Sequence, residues 1–417
     1  MRRAVLLLTM VGAMLLAFSG VLLAQQQPPS GGQAGPEEEF VAGEVLVKFE
    51  PGAANRAQDE AHRQVGGQVK ETIPGIDVKV VGVPAGKERE SVARYERNPN
   101  VRYAELNGVY EAVATGPNDP RVGEQWGFNN ASATAPNTLD IDSFEAWRGA
   151  STTAWNGGTT GSATVKIAIL DTGINASHPD LSGKVAAGRN FTTGNSTDTS
   201  DKNGHGTHVA GTAGAKTNNG AGVAGTCPGC TLVPVKVLGN DGTGSWSWIA
   251  NGLRWAADNG ARVANMSLGG SSGSSTVRDA VNYAWGKGTV VAAAAGNNGT
   301  NAANYPSDYP NTISVGATNK NDNKASFSNY GDKVDIGAPG AGILSTTKDG
   351  GYASWNGTSM ATPHVAGVAG LVWSKGLCGS SASCVRGKIE SKADKGKGNL
   401  STYWVEGRRL SADGSLS

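Results

Sequence analysis

Three short stretches each pack small residues around one reactive side chain. They are "LDTG" with Asp171, "NGHGTHVAG" with His205 and "GTSMATPHVAG" with Ser359. A serine hydroxyl is a weak nucleophile until a base takes its proton. Histidine can do so, and the chain has only five: His62, His178, His205, His208 and His364. Glycines flank His205, so its ring can be approached closely, whereas His208 and His364 read as structural residues facing a core. A carboxylate best fixes a catalytic imidazole's tautomer, and Asp171 directly follows the apolar run "VKIAIL". Taken singly, Ser359 reads as a helix N-cap and Asp171 as a turn residue. Together the three groups fit acyl transfer. If Ser359 opens a helix, its backbone N–H lies at the positive end and can stabilise a developing oxyanion. A zinc reading of "HGTH" fails, because the histidines stand three apart with no glutamate between and no third ligand in sight.

The elements that must carry these groups follow from the hydrophobic pattern. "VKIAIL" (165–170), 231–238, 261–268, 289–296 and 312–318 are short, nearly continuous apolar runs, as expected for strands buried on both faces. Helical patterns fall at 205–216, 246–259 and 275–287. The alternation predicts an α/β fold, a parallel central sheet with helices on both faces. Sites on such sheets gather beyond the carboxyl ends of the strands. Asp171, Ser267 and Asn297 all sit at those ends. "MATPHVAGVAGLVW" after Ser359 has almost no polar face, which predicts a buried helix. Ahead of this region, 41–112 reads strand, helix, strand, helix, strand, a small α+β unit, with "TGPNDP" at 115–120 as a boundary.

Bulk properties set limits. With 38% apolar residues, 17% charged and a net charge of +1, the chain can build a large core and shows no basic tract for nucleic acid. Residues 1–24 place two arginines before an apolar run ending in small residues, which reads as a secretory signal cut after Ala24. The competing reading is an uncleaved anchor, since the run is about the ~20 residues that span a bilayer. Residues 25–40 read as a linker, and no other segment is long and apolar enough to cross a membrane. Four cysteines in an exported chain point to two local disulfides, in Cys227/Cys230 and Cys378/Cys384, although three pairings exist.

"DTGINASHPDL", "NGHGTHVAG" and "GTSMATPHVAG", in the order Asp, His, Ser, resemble the subtilisin-like serine proteases from about Pro117 to about Arg409. The resemblance implies Asp171 as orienting carboxylate, His205 as general base and acid, Ser359 as nucleophile and Asn297 as oxyanion donor. It also implies two peptide-binding strands, Gly242–Thr243–Gly244 and Ser267–Leu268–Gly269, with Trp246 beside an outer apolar pocket. Ala294, Ala295 and Gly296 with Leu268 and Gly269 would wall a roomy apolar pocket of broad specificity. It places a structural Ca2+ at Asp119, Asp180 and the Asn219 side chain, completed by carbonyls of Lys216, Ala221 and Val223. A second ion site ahead of the histidine motif is expected to be weak or lost, with Asn190 in place of an acid and Asp198 and Asp201 as solvated loop residues. The unit 41–113 resembles the family's propeptide inhibitors, so a self-processing precursor is expected, cut near 113–117, with 114–417 as the catalytic domain. The expected partners are polypeptide substrates and the chain's own propeptide; the mature protein is expected to be a monomer free of nucleic acid and membrane. An esterase is disfavoured, because its elbow would read GxSxG with the order Ser, Asp, His. A surface-binding protein retaining the fold is the remaining alternative.

Overall fold

The computed structural model describes residues 40–108, 116–128, 140–149, 158–192, 196–395 and 398–417. The signal, most of the linker and most of the expected cut region lie outside the described residues. The rest forms two compact units, 40–108 and from 116 onward.

The first unit runs β1 (Phe40–Phe49), α1 (Asn55–Gln64), β2 (Gln68–Ile73), β3 (Val78–Gly82), α2 (Glu88–Glu96) and β4 (Val101–Gly108). Its antiparallel sheet has the order β2-β3-β1-β4. β1 buries Val45, Val47 and Phe49 on one face, where they meet Ala61 of α1 and Tyr95 of α2. Strand β2 was not expected: "QVKETI" is almost wholly exposed and lacks alternation. It is an edge strand, where charged side chains discourage pairing with another chain.

The second unit contains α3 (Ser143–Arg148), β5 (Lys166–Asp171), β6 (Arg189–Asn190), α4 (His205–Gly214), β7 (Thr231–Lys236), α5 (Trp246–Asp258), β8 (Ala261–Met266), α6 (Ser275–Gly286), β9 (Val290–Ala294), β10 (Ile313–Thr318), β11 (Ile336–Pro339), β12 (Ile343–Thr346), β13 (Tyr352–Trp355), α7 (Thr358–Ser374), α8 (Ala382–Ser391), β14 (Asp394–Lys395), β15 (Arg408–Arg409) and α9 (Ala412–Ser415). Among the described residues, nine strands form one sheet in the order β14-β15-β11-β10-β9-β8-β5-β7-β6. Every pair is parallel except β14–β15 at the edge, so the sheet is mixed and mostly parallel. β12 and β13 form a separate antiparallel hairpin.

Successive residues of β5 feed opposite cores. Ile167 and Ile169 join the cluster that includes residues of α4, α7 and α8, while Ala168 and Leu170 join the one with residues of α5 and α6. That is the physical content of the unbroken apolar runs. Small residues let α7 cross this interior. A methyl on Gly367 would lie 2.3 Å from Thr226 Cβ, and one on Gly370 would lie 2.9 Å from Cys230 Sγ. Disulfides join Cys227 to Cys230 and Cys378 to Cys384, the two local pairs. No described helix is long and apolar enough to cross a membrane.

Candidate active site

Asp171 ends β5 and is fully buried; His205 opens α4 with about a quarter of its side chain exposed. His205 Nδ1 lies 2.8 Å from Asp171 Oδ1 and 3.0 Å from Oδ2. The Thr172 N–H donates to Asp171 Oδ1 at 2.7 Å. Burial would lower the His205 pKa, but the charge and hydrogen bond of Asp171, with Asp201 behind, raise it above the ordinary imidazole value. His208 and His364 behave oppositely. Burial pushes them down to about 4 and about 3. His208 stacks on Trp355 and meets the Ala353 carbonyl, and His364 meets the Met360 carbonyl. Both are structural and neutral.

Ser359 lies in the first turn of α7. Pro363, four residues on, has no N–H to give the Ser359 carbonyl. Ser267 Oγ donates to that carbonyl instead, at 2.8 Å, and Ser359 Oγ returns a bond to the Ser267 carbonyl at 3.2 Å. Ser267 therefore does more than border the cleft; it seats the backbone of the nucleophile candidate. No hydrogen bond joins Ser359 to His205 among the described residues. Catalytic bonds are often loose before substrate arrives.

Asn297 Oδ1 accepts from Thr358 N (2.8 Å) and Thr358 Oγ1 (2.9 Å), which orients its amide. A methyl on Gly357 would meet Ser359 N at 3.5 Å and Asn297 Nδ2 at 3.6 Å. Two donors thus flank one small space that glycine leaves open, where an oxyanion could be held.

His205, Ser267, Leu268, Gly269, Gly242, Thr243, Gly244 and Trp246 line one cleft of about 500 Å3. Trp246 stands at its rim, 52% exposed. The two glycine segments, expected as strands, are loops; 242–244 sits in a turn in which Gly239 N donates to Thr243 O at 2.7 Å. Ala294 and Gly296 are not among the residues lining the cleft. The Asn304 amide stands beside them and Gly269: Nδ2 donates to the Ala294 carbonyl at 2.8 Å and would lie 2.4 Å from a methyl on Gly269. The expected apolar wall therefore has a polar neighbour. Sequence reading missed it, along with Tyr305, Pro306 and Tyr309, because loop residues gave no periodic signal.

The residues assigned to calcium converge. Asp119 and Asp180 are buried. Asp119 accepts from the backbone of Asn218 and Asn219, and Asp180 from Asn219 Nδ2 and Val223 N. Lys216 N donates to the Asp180 carbonyl, and Ala221 N to Asn219 Oδ1. Burial lifts the Asp119 carboxyl above its usual range, with the Asp180 charge adding to it and the Asn218 and Asn219 bonds opposing. Two buried carboxylates brought together by one loop are the hard oxygen ligands a cation such as Ca2+ takes, although here their oxygens accept from N–H groups. A separate acidic group, Asp140, Asp142 and Glu145, places one carboxylate oxygen from each within 4.8 Å of the others; sequence reading did not single it out.

Ahead of α4, Asn190 closes its own loop, accepting from Thr192 N and Oγ1 and donating to the Asp198 carbonyl. Asp198 is exposed, but Asp201 is buried, contrary to the expectation of a solvated residue.

A family model described as the subtilase family matches residues 162–404, more than half of the chain. The chain belongs to the subtilase family. A second model, the fervidolysin N-terminal prodomain, matches 26–107. Thermitase of Thermoactinomyces vulgaris is 56% identical over 58% of this chain and 85% of its own. A thermophilic serine proteinase of a Bacillus strain is 41% identical over 88% of this chain and 86% of its own. Among solved structures, proteases from Pseudoalteromonas arctica match with a TM-score of 0.62 at 33% identity, covering 72% of this chain and 99% of theirs. This subtilase is a serine endopeptidase with an N-terminal prodomain.

Proposed function

We propose that this subtilase cleaves peptide bonds through Asp171, His205 and Ser359, with Asn297 Nδ2 and the Ser359 N–H holding the oxyanion. The observation that carries the reading is the pairing of His205 Nδ1 with the buried Asp171 carboxylate at 2.8 Å. That contact leaves Nε2 as the base and stabilises the imidazolium that forms. Ser359 Oγ turns from Ser267 toward His205, gives its proton to Nε2 and attacks the carbonyl; the imidazolium protonates the amine as the C–N bond breaks, leaving an acyl-enzyme, and water, deprotonated by Nε2, then releases the acid and restores Ser359. Removing one oxyanion donor costs roughly 100- to 1000-fold in rate.

The extended substrate adds backbone pairing to the Gly242–Gly244 and Ser267–Gly269 loops, which pair with no strand among the described residues. The cleft walls favour apolar side chains with broad tolerance. Residues 1–24 direct export and are removed, and 25–40 link them to the inhibitory, folding-assisting propeptide at 41–113. The mature enzyme, 114–417, is secreted, monomeric and stabilised by Ca2+ at Asp119, Asp180, Asn219 and the carbonyls of Lys216, Ala221 and Val223.

Mass spectrometry of wild type and Ser359→Ala tests this. Wild type should mature to a start near 113–117 and take a fluorophosphonate adduct on Ser359. The variant should stay full length and lose about a millionfold in kcat, the scale seen when a subtilisin loses its nucleophile. An unlabelled, unprocessed wild type would instead support a binding protein that kept the fold.

A further inference from the structure

We infer that Asp201 is a positioning residue of the reaction, a second buried carboxylate that ties the strand end bearing Asp171 to the first turn of the helix bearing His205. The inference rests on the triad reading above. Asp201 is 6% exposed and accepts five hydrogen bonds. Oδ1 takes Thr172 Oγ1 (2.8 Å), Asn203 N (3.0 Å) and Gly204 N (2.8 Å). Oδ2 takes Thr207 N (2.9 Å) and Thr207 Oγ1 (2.7 Å).

These donors come from two elements that must meet. Thr172 follows Asp171, and its N–H holds Asp171 Oδ1. Its hydroxyl donates to Asp201 and accepts from Gly206 N at 2.9 Å. Gly204, Gly206 and Thr207 surround His205 at the start of α4. That helix has glycine at its N-cap and no acidic residue in its first turn. Asp201 supplies the missing acceptor and the negative charge that a helix N-terminus favours. One carboxylate thereby fixes both sides of the Asp171–His205 contact.

The charge also reaches the imidazole. His205 is faced by Asp171 from β5 and by Asp201 from the loop before α4; His208, one turn on, is held neutral by burial. Lys236 of β7 donates to the Thr172 carbonyl and to Asn240 Oδ1, and senses Asp201, Asp198, Asp171 and Lys202. Asp201 adds to Asp171 in raising the His205 pKa. Removing its charge should therefore lower that pKa and move the acid limb of kcat/KM to lower pH. A purely mechanical clamp would reduce kcat at every pH and leave the limb in place.

The test is kcat/KM against pH, from about 5 to about 10, for mature wild type and Asp201→Asn on a chromogenic peptide. Active sites are counted by fluorophosphonate labelling. The expected result is an acid limb shifted to lower pH, with kcat down roughly 10- to 100-fold from the misplaced base. A lower kcat with the limb unmoved leaves Asp201 as the tie alone, and an unchanged kcat with an unmoved limb overturns the inference. If Asp201→Asn gives no labelled protein, Thr172→Val decides. It cuts the tie to the strand but keeps the charge, so kcat should fall with the limb in place; an unchanged kcat overturns the inference. Failure of the triad reading would show separately, as activity surviving Ser359→Ala.

Discussion

The two units bury their sheets in different ways. In residues 40–108 one face of the sheet carries, among the described residues, a clustered core of nine, Val45, Val47, Phe49, Ala61, Val65, Val81, Val83, Tyr95 and Ala104, while Val78 and Val80 of β3 are buried on the other face. Apolar residues remain exposed in this unit, including Val69, Ile76 and Tyr103. In the catalytic unit the apolar residues of the central strands enter one core or the other, and the candidate site sits where the strands end. Stability in the first unit is concentrated in a few side chains. In the second it is spread over two large clusters, and the carboxyls of Asp171, Asp180 and Asp201 are buried there as well.

The sharpest way to break this comparison is one core deletion in each unit, made in the Ser359→Ala background to stop self-digestion. Phe49→Ala should cost about 3–5 kcal/mol, comparable with the whole stability of a domain of this size. Hydrogen exchange should then show β1, β3 and β4 losing protection together while β5 and β8 keep theirs. Leu232→Ala in β7, fully buried, should cost about 2–5 kcal/mol and lower the catalytic unit's melting temperature without unfolding it at 25 °C. Equal loss of protection in the two units would remove the contrast.

A smaller effect sharpens it from the other side. The Asp119–Asp180 pair belongs to the catalytic unit alone. Calcium at about a hundredfold over its dissociation constant should add about 2.7 kcal/mol. Chelation should therefore lower that unit's melting temperature by roughly 5–10 °C, and Asp180→Asn should abolish the dependence. The exchange of 40–108 should not respond. A calcium-insensitive melting curve in wild type would remove the ion from the site.

How much of this was legible follows from the same contrast. Double burial makes a strand an unbroken apolar run, so β5, β7, β8, β9 and β10 could be read within a residue or two. β2 could not, because an exposed edge strand carries no hydrophobic period. Near the site, the motif residues stood out because small neighbours isolate them. Asp201 did not. It sits four residues before His205 in a polar stretch, and only the folded chain shows that Thr172, 29 positions earlier, donates to it. The role of Pro363 was equally hidden, since a proline inside a helix matters here only because Ser267 takes over the bond it cannot make.

The smallest expected effect concerns acid. His62 Nδ1 lies 2.8 Å from the Tyr95 hydroxyl inside the small core. Burial lowers its pKa, with Asp59 opposing and Lys79 assisting. A histidine depressed in the folded state contributes stability above its unfolded pKa of about 6.5, and that contribution is lost as pH falls below it. The Asp171–His205 pair has the opposite sign: its contribution is complete below about 6.5 and is lost as pH rises through the raised folded value. His208 and His364, at about 4 and about 3, share the sign of His62. Both units should therefore weaken between about pH 7 and about pH 5, and the discriminating measurement is the slope in each. In the Ser359→Ala chain, His62→Gln should flatten the pH dependence of exchange in β1 and β4 and leave that of β5 and α7 as it was. If the slope in β1 survives the substitution, acid acts on the small unit through its carboxylates, and its core is less exposed to a single side chain than nine residues suggest.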